Sequence, residues 1–253
     1  MRRRAEKILF FVTLLAIWQI VYQLHVWPPY LFPSPRGVFE ALQYGLQDGS
    51  IATAVGISMK RIALGYAFSI VLGLMLGLLI ASSKTVENTV GSLVLGLQSL
   101  PSICWLPLAV LWFGLSEAAI LFVVVMGSVL AITINTEAGV RNVPRIYAMA
   151  GRNLGAHGPK LFWHVLLPAS LPYLVSGLKQ GWAFAWRSLI SGEMIFVSLG
   201  LGHLLMMGRD LNDMSQVLAV MFLIMVLGYL VDRVFFANIE RRIRHRWGFA
   251  ATS

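Results

Sequence analysis

Six stretches of this chain are apolar for about twenty residues or more, and nothing else in the sequence limits its folding as tightly. A helix needs roughly 20 mostly apolar residues to cross about 30 Å of hydrocarbon. Inside lipid only helices and closed barrels satisfy their own backbone. The stretches are 8–26, 58–81, 86–113, 117–137, 170–192 and 214–236, the third interrupted by Pro101 and Pro107. Only 12% of the 253 residues are charged, against about 25% in a soluble domain. That shortage excludes an ordinary soluble enzyme and a disordered chain. Cys104 is the only cysteine, so no intrachain disulfide or multi-cysteine metal site can form. The sequence predicts an all-α integral membrane protein of about six transmembrane helices.

The net charge of +9 invites a nucleic-acid reading, but the distribution of the charges argues for membrane topology. Cytoplasmic loops collect Lys and Arg. With the N-terminus inside, the inner segments are 1–7, 82–87, 139–164 and 233–253. They hold fourteen of the twenty basic residues, and the outer segments hold only Arg36, Lys60, Arg61 and Arg209. Both termini are therefore expected in the cytoplasm, with no nucleic-acid partner. Lys60 and Arg61 fall at an outer helix end, where long side chains snorkel to water. Arg2, Arg3, Arg4 and Lys7 before the first apolar run suit a signal peptide. The run is too long for one, and Trp27-Pro28-Pro29-Tyr30 follows instead of a small-residue cleavage site, so a retained anchor is expected.

Three segments follow: an anchor helix and leading periplasmic segment (1–57), a transmembrane core (58–240) and a basic cytoplasmic tail (241–253) set against anionic lipid. In the long outer loop, Val38, Leu42 and Leu46 stand at helical spacing and predict a short interfacial helix. The inner loop at 144–172 is the informative one. Residues 145–154 form one short helical pattern, Gly155 to Pro159 stop it, and 160–167 form a second. Pro168 and Pro172 bracket the next span. Spacing alone leaves two readings, a plain connecting loop or a docking element.

The residues of that loop resemble the EAA loop of binding-protein-dependent ABC importer permeases, roughly E-A-A-R-x-L-G-A, a spacer, then F-x-x-V-x-L-P-x-x-x-P. Here the run is Met149-Ala150-Gly151-Arg152-Asn153-Leu154-Gly155-Ala156, then Phe162, Val165, Leu167, Pro168 and Pro172. Met149 stands in place of the leading acid, and Gly151 in place of the second alanine. Further stretches are similar to the nitrate/sulfonate/taurine subgroup: SLPSICWLPLAVLWFGLSE (99–117), INTEAGVRNVP (134–144) and GWAFAWRSLISGEMI (181–195). The resemblance covers residues 28–247. It implies a permease in the cell inner membrane with no cofactor of its own. The 149–168 loop would seat on a separate ATPase present in two copies, and a periplasmic binding protein would deliver the solute. A second permease copy, as a homodimer or close heterodimer, would complete the pore. The chain has no G-x-x-x-x-G-K phosphate loop, so it cannot cradle ATP in that way.

Several residues remain open between two readings. Gly65, Gly73 and Gly77 would pack either helices of one bundle or a dimer interface. Pro101 and Pro107 either kink the third span or free carbonyls toward a solute path. Arg187 and Glu193, ionisable and on or beside a span, either form structural ion pairs or line the translocation path, where Arg187 would suit an oxyanion. Lys179 is the other cation within that span. His157, His164 and His203 do not converge, so no metal site is expected. A membrane-embedded enzyme would need a G-x-S-G nucleophile loop or clustered aspartates. A secondary transporter would need internal repeats and intramembrane acids. None of these is evident, and no catalytic residue is expected.

Overall fold

In the computed structural model, residues 2–195 and 199–246 are described, with side chains from residue 5 to residue 243 apart from that gap. All regular elements among them are helical. They are α1 (Arg2–Gln23), α2 (Pro35–Gln47), α3 (Ser50–Ser82), α4 (Lys84–Gln98), α5 (Ser102–Phe113), α6 (Glu117–Arg141), α7 (Arg145–Asn153), α8 (Pro159–Ile195) and α9 (Leu201–Asp210). The last, α10, runs Met214–Val231, passes a π-turn at Asp232–Phe236 and continues over Ala237–Arg246. Five helices are long and apolar enough to cross a membrane, or six if the bent pair α4/α5 is one span. The chain divides into two compact units, Met1–Ser58 with Glu193–Val226, and Met59–Gly192 with Leu227–Ser253.

The second unit is built on the pairing of α3 with α6. Gly65, Ser69, Gly73 and Gly77 recur every fourth residue, so they form one row along α3. Facing them on α6 are Val124, Ser128, Ile132 and Thr136, again four apart. A Cβ at Gly65 would lie 2.7 Å from Val124, at Gly73 2.7 Å from Ile132, and at Gly77 2.5 Å from Thr136. The Ser128 hydroxyl donates to Ser69 Oγ at 2.6 Å. Lipid tails are as apolar as leucine, so close backbone approach and hydrogen bonds hold such helices together. The glycines thus pack helices of a single chain, which settles the first open reading. At the head of the same row, Arg61 makes a two-pronged contact with Glu117, its Nε donating to Oε2 at 2.6 Å. Arg61 is only 4% exposed. The expected snorkelling is corrected for Arg61 alone: α3 begins at Ser50, so Arg61 lies well inside the helix and is paired, while Lys60 is exposed.

Helix α8 packs on α6 by the same device, Gly177 against Asn135 and Gly181 against Ile132. The Tyr66 hydroxyl on α3 donates to the Leu178 carbonyl at 2.6 Å, and its ring meets Trp182 edge-on. Trp182 stacks on Trp186, and Gly228 of α10 lies against Trp186. Helix α4 covers the other end of α6, where Ile80, Val94, Val129 and Leu130 are buried together. Arg141 there pairs with both Glu87 and Glu137.

In the first unit, Ser34 caps α2 by accepting from the Gly37 N–H at 3.0 Å, with Pro35 at the first helical position, where its missing N–H costs nothing. The helix expected around Val38, Leu42 and Leu46 is therefore present. Asp48 accepts from the Ser50 N–H at 2.9 Å, which holds its carboxyl below the usual range. Helix α1 is anchored by the Trp18 indole N–H, which donates to the Pro33 carbonyl at 3.0 Å. Its apolar side chains, Ile8 to Ile20, are otherwise largely exposed.

Two further expectations need correction. The second loop helix does not end at 167. It runs on as α8 to Ile195, 37 residues in all, with Pro172 inside it. Pro168 has no N–H to give, and the ladder has already slipped into a π-turn over Phe162–Leu166, closed by the Leu167 N–H on the Phe162 carbonyl. Of the two prolines in the third span, only Pro101 stands at the break, where α4 and α5 bend by 102°. Pro107 sits in the first turn of a helical stretch, Leu106–Phe113, where proline is harmless. Within the expected basic tail, residues 241–246 continue the last helix, with Arg241 and Arg242 exposed, and 247–253 lie outside the described residues. Glu240, just before that tail, lies 3.8 Å from Lys179, and Asp232 lies 3.4 Å from the same ammonium, so the cation within the span has two acidic partners.

The ladder predicts a contrast between two glycines. A Cβ at Gly77 would lie 2.6 Å from the backbone oxygen of Thr133, whereas at Gly56 it would meet nothing within 4 Å. Gly77→Ala should lower the unfolding temperature in detergent, with overpacking costing about 1–3 kcal/mol. Gly56→Ala should leave it unchanged or raise it slightly through helix propensity. Equal behaviour of the two variants would remove the ladder as a packing determinant.

Candidate functional site

The loop that resembles a coupling element is built around Gly155. Helix α7 ends in a Schellman motif: the Gly155 N–H donates to the Arg152 carbonyl and the Ala156 N–H to the Gly151 carbonyl, both at 2.9 Å. Gly155 has φ of +85°, and Gly158, just before Pro159, has φ of +52°. These are left-handed conformations that favour glycine. Gly151 is buried, and a Cβ there would lie 2.7 Å from Leu161 and 3.0 Å from Val165. Glycine in place of the pattern's alanine thus lets α7 lie close on the start of α8.

The opposite side of α7 is uncovered. Leu154 is 88% exposed, and Ile146, Tyr147 and Met149 are exposed with it. Ala150, Arg152 and Gly155 are also exposed, while Ala156, Phe162, Val165, Leu167 and Pro168 are half-buried. Apolar side chains on a short helix outside the spans form a face that a protein partner could cover. With Met149 at the position of the pattern's acid, that face carries no carboxylate there.

The four residues proposed for the solute path fall in different places. Pro101 and Arg187 line one cavity of about 290 Å³ at the α4/α5 break, together with Gln98, Ser99, Ser102, Trp105 and Phe184. Pro107 and Glu193 are not among its lining residues. Arg187 is exposed, donates from Nε to the Ala183 carbonyl at 3.1 Å, and lies 5.1 Å from the centre of the Phe184 ring.

Glu193 is fully buried in the first unit. The Ser58 hydroxyl lies 2.8 and 2.7 Å from its two oxygens and donates to the carboxylate. The Gly202 N–H donates to Oε2 at 3.1 Å, and the Leu201 N–H donates to Ser58 Oγ at 2.9 Å. Two of the unpaired N–H groups at the start of α9 are thus satisfied by the Ser58–Glu193 pair, at the end of a helix that favours negative charge. At Gly200 a Cβ would lie 2.5 Å from the carboxylate carbon, so only glycine leaves room. Ser58, Gly200 and Gly202 went unmarked in the sequence because they are small, common residues. Ser58 stands 135 positions from Glu193, and Gly200 and Gly202, seven and nine positions on, carry no side chain that signals the contact.

Among the described residues, no three His, Cys, Asp or Glu side chains group to hold a metal ion. The fold is that of a type I ABC importer permease. A structure of the MetNI methionine ABC transporter in an inward-facing conformation superposes with a TM-score of 0.67 at 20% identity, covering 77% of this chain and 96% of that one. Residues 69–245 match the family described as "Binding-protein-dependent transport system inner membrane component", and the chain belongs to it. In Escherichia coli (strain K12), the permease SsuC is 32% identical over 236 residues, covering 93% of this chain and 89% of its own. The taurine transport system permease protein TauC of the same organism is 27% identical, with 87% and 82% covered. The nitrate import permease protein NrtB of Synechocystis sp. is 28% identical, with 90% and 85% covered. The protein is therefore a multi-pass membrane permease of the nitrate, sulfonate and taurine importer type, a transport subunit rather than an enzyme.

The Glu193 network predicts a local effect. Ser58→Ala removes the donor to a buried carboxylate and should cost about 1–3 kcal/mol of stability. Amide hydrogen exchange at Leu201 and Gly202 should speed up relative to the rest of the bundle. Unchanged exchange at those two amides would mean that the pair does not hold the start of α9.

Proposed function

We propose that this chain forms half of the membrane path of an importer for a small oxyanion such as a sulfonate, taurine, nitrate or bicarbonate. A periplasmic binding protein delivers the solute, and a separate ATPase, present in two copies, supplies the energy; the permease binds no cofactor itself. The exposed apolar face of α7 carries this reading. It is short, firmly terminated at Gly155, and braced through Gly151 on a helix 37 residues long, about 55 Å. That length exceeds the roughly 30 Å of hydrocarbon, and the Lys160 and His164 side chains at its start support the Pro159 end as the one that projects. A partner pulling on α7 would therefore move α8 directly. ATP-driven closure of two ATPases would draw two such loops together and rock two permeases between inward- and outward-open states. The excess of Lys and Arg on one set of loops supports placing both termini and α7 in the cytoplasm. The relatives named for taurine and nitrate support a solute that carries an oxyanion group.

Two measurements test this. A tagged chain drawn from its native membranes in mild detergent should bring down an ABC ATPase in stoichiometric amount; recovery of the chain alone, even after cross-linking, would overturn the proposal. Gly155→Asp places a side chain at φ +85° and a carboxylate at the negative end of α7. The variant should reach the membrane yet lose most ATP-dependent uptake, and normal uptake would remove the loop's coupling role.

A further inference from the structure

We infer that the cavity at the α4/α5 break is a solute site inside the permease, built for a compact oxyanion with Arg187 as its charged ligand. The inference rests on the importer reading above and adds a binding site to it.

Arg187 lies eight residues before the end of α8 at Ile195, about 12 Å along the helix. A guanidinium at that depth is expensive in hydrocarbon and belongs where water or a partner group reaches it. Its donations within the chain are modest: one carbonyl of its own helix and the face of one ring. Among the described residues no carboxylate lies within ion-pair distance of it, whereas Lys179, on the same helix, has Asp232 and Glu240. Most of the guanidinium's five donors are therefore left for something else. Arg187 is not isolated on its helix. Ser176, Gln180 and Arg187 are all exposed, and at 100° per residue they fall within a 40° arc. An exposed polar stripe along a membrane helix marks a water-filled side.

The cavity beside Arg187 has matching chemistry. Its polar lining is Gln98, Ser99 and Ser102, and it contains no acidic residue. Trp105 and Phe184 supply apolar walls. Pro101 breaks the helix here, which opens the space between α4 and α5. Pockets for drug-sized ligands run from roughly 300 to 1,000 Å³, so about 290 Å³ limits the occupant to a compact solute. A permanent cation with hydroxyl and amide groups and no carboxylate selects an anion over a cation or a zwitterion's ammonium end.

The test uses the permease purified with its ATPase partner in nanodiscs, without the binding protein, so that only a site within the membrane is read. Equilibrium binding is measured for nitrate, ethanesulfonate and taurine, in wild type, Arg187→Gln and Arg187→Lys. At least one of the three should bind saturably to the wild type through its oxyanion group. Its affinity should fall by about tenfold or more in Arg187→Gln, the scale of one charge-assisted hydrogen bond, and less in Arg187→Lys, which keeps the charge. Equal recovery of the ATPase with all three proteins shows that each is folded and assembled. Absence of binding by all three probes to an assembled wild type, or equal binding to Arg187→Gln, overturns the site and leaves the importer reading intact. Failure of the wild type to hold an ATPase overturns the importer reading instead.

Discussion

Lipid offers two helices no hydrophobic reason to associate, so this fold depends on how closely α3 and α6 can approach. Four small residues on one helix, Gly65, Ser69, Gly73 and Gly77, meet four partners on the other at the same spacing. The row is closed at one end by Arg61 on Glu117, and α6 is tied at the other by Arg141 on Glu87 and Glu137. Helix α8 is laid against α6 through its own pair of glycines, Gly177 and Gly181, the second on the same Ile132 that faces Gly73. That contact sets where Arg187 stands and where Pro159 emerges. The cavity and the exposed loop are thus two ends of one helix whose position the glycines fix.

The same helix gives a mechanical link between the two regions proposed for function. Helix α7 rests through Gly151 on Leu161 and Val165, at the start of α8. From there the backbone is helical as far as Ile195, through a π-turn that absorbs Pro168. A displacement imposed at α7 has no loop in which to dissipate before it reaches Arg187. Alternating access by rigid movement of packed helices needs such a continuous element, because packed interfaces shift between discrete arrangements rather than deform.

Much of this was legible in the sequence, and the gaps have physical causes. The spans, the stop at Gly155 and the α2 helix follow from local rules of hydropathy, capping and periodicity. The separate second loop helix was misread because Pro168 and Pro172 signal a break, and a π-turn that restores the ladder leaves no trace in composition. Arg61 was misplaced because its helix begins eight residues before the apolar run, and the carboxylate that pays for its burial is 56 positions away. Glu193 was marked as unusual, but its partner Ser58 is a small residue 135 positions away, and its nearer partner Gly202 offers only a backbone N–H. Lys179 and its two acids were separately visible, and nothing local joins them.

The sequence by itself determined that the chain lives in a membrane, roughly where it crosses, and that a helical pattern stops at Gly155 in the loop before the fifth span. Those properties are set residue by residue, through transfer free energy and the backbone preferences of glycine and proline. Only the tertiary structure decided which polar and charged groups are consumed in holding the bundle and which are left for function. Arg61, Arg141, Lys179 and Glu193 find partners within the bundle, while Arg187 is left beside a cavity with no acid in it. That division depends on distances between elements far apart in the chain, and in a low-dielectric interior a few ångströms separate a paired charge from one that must find its counter-ion elsewhere.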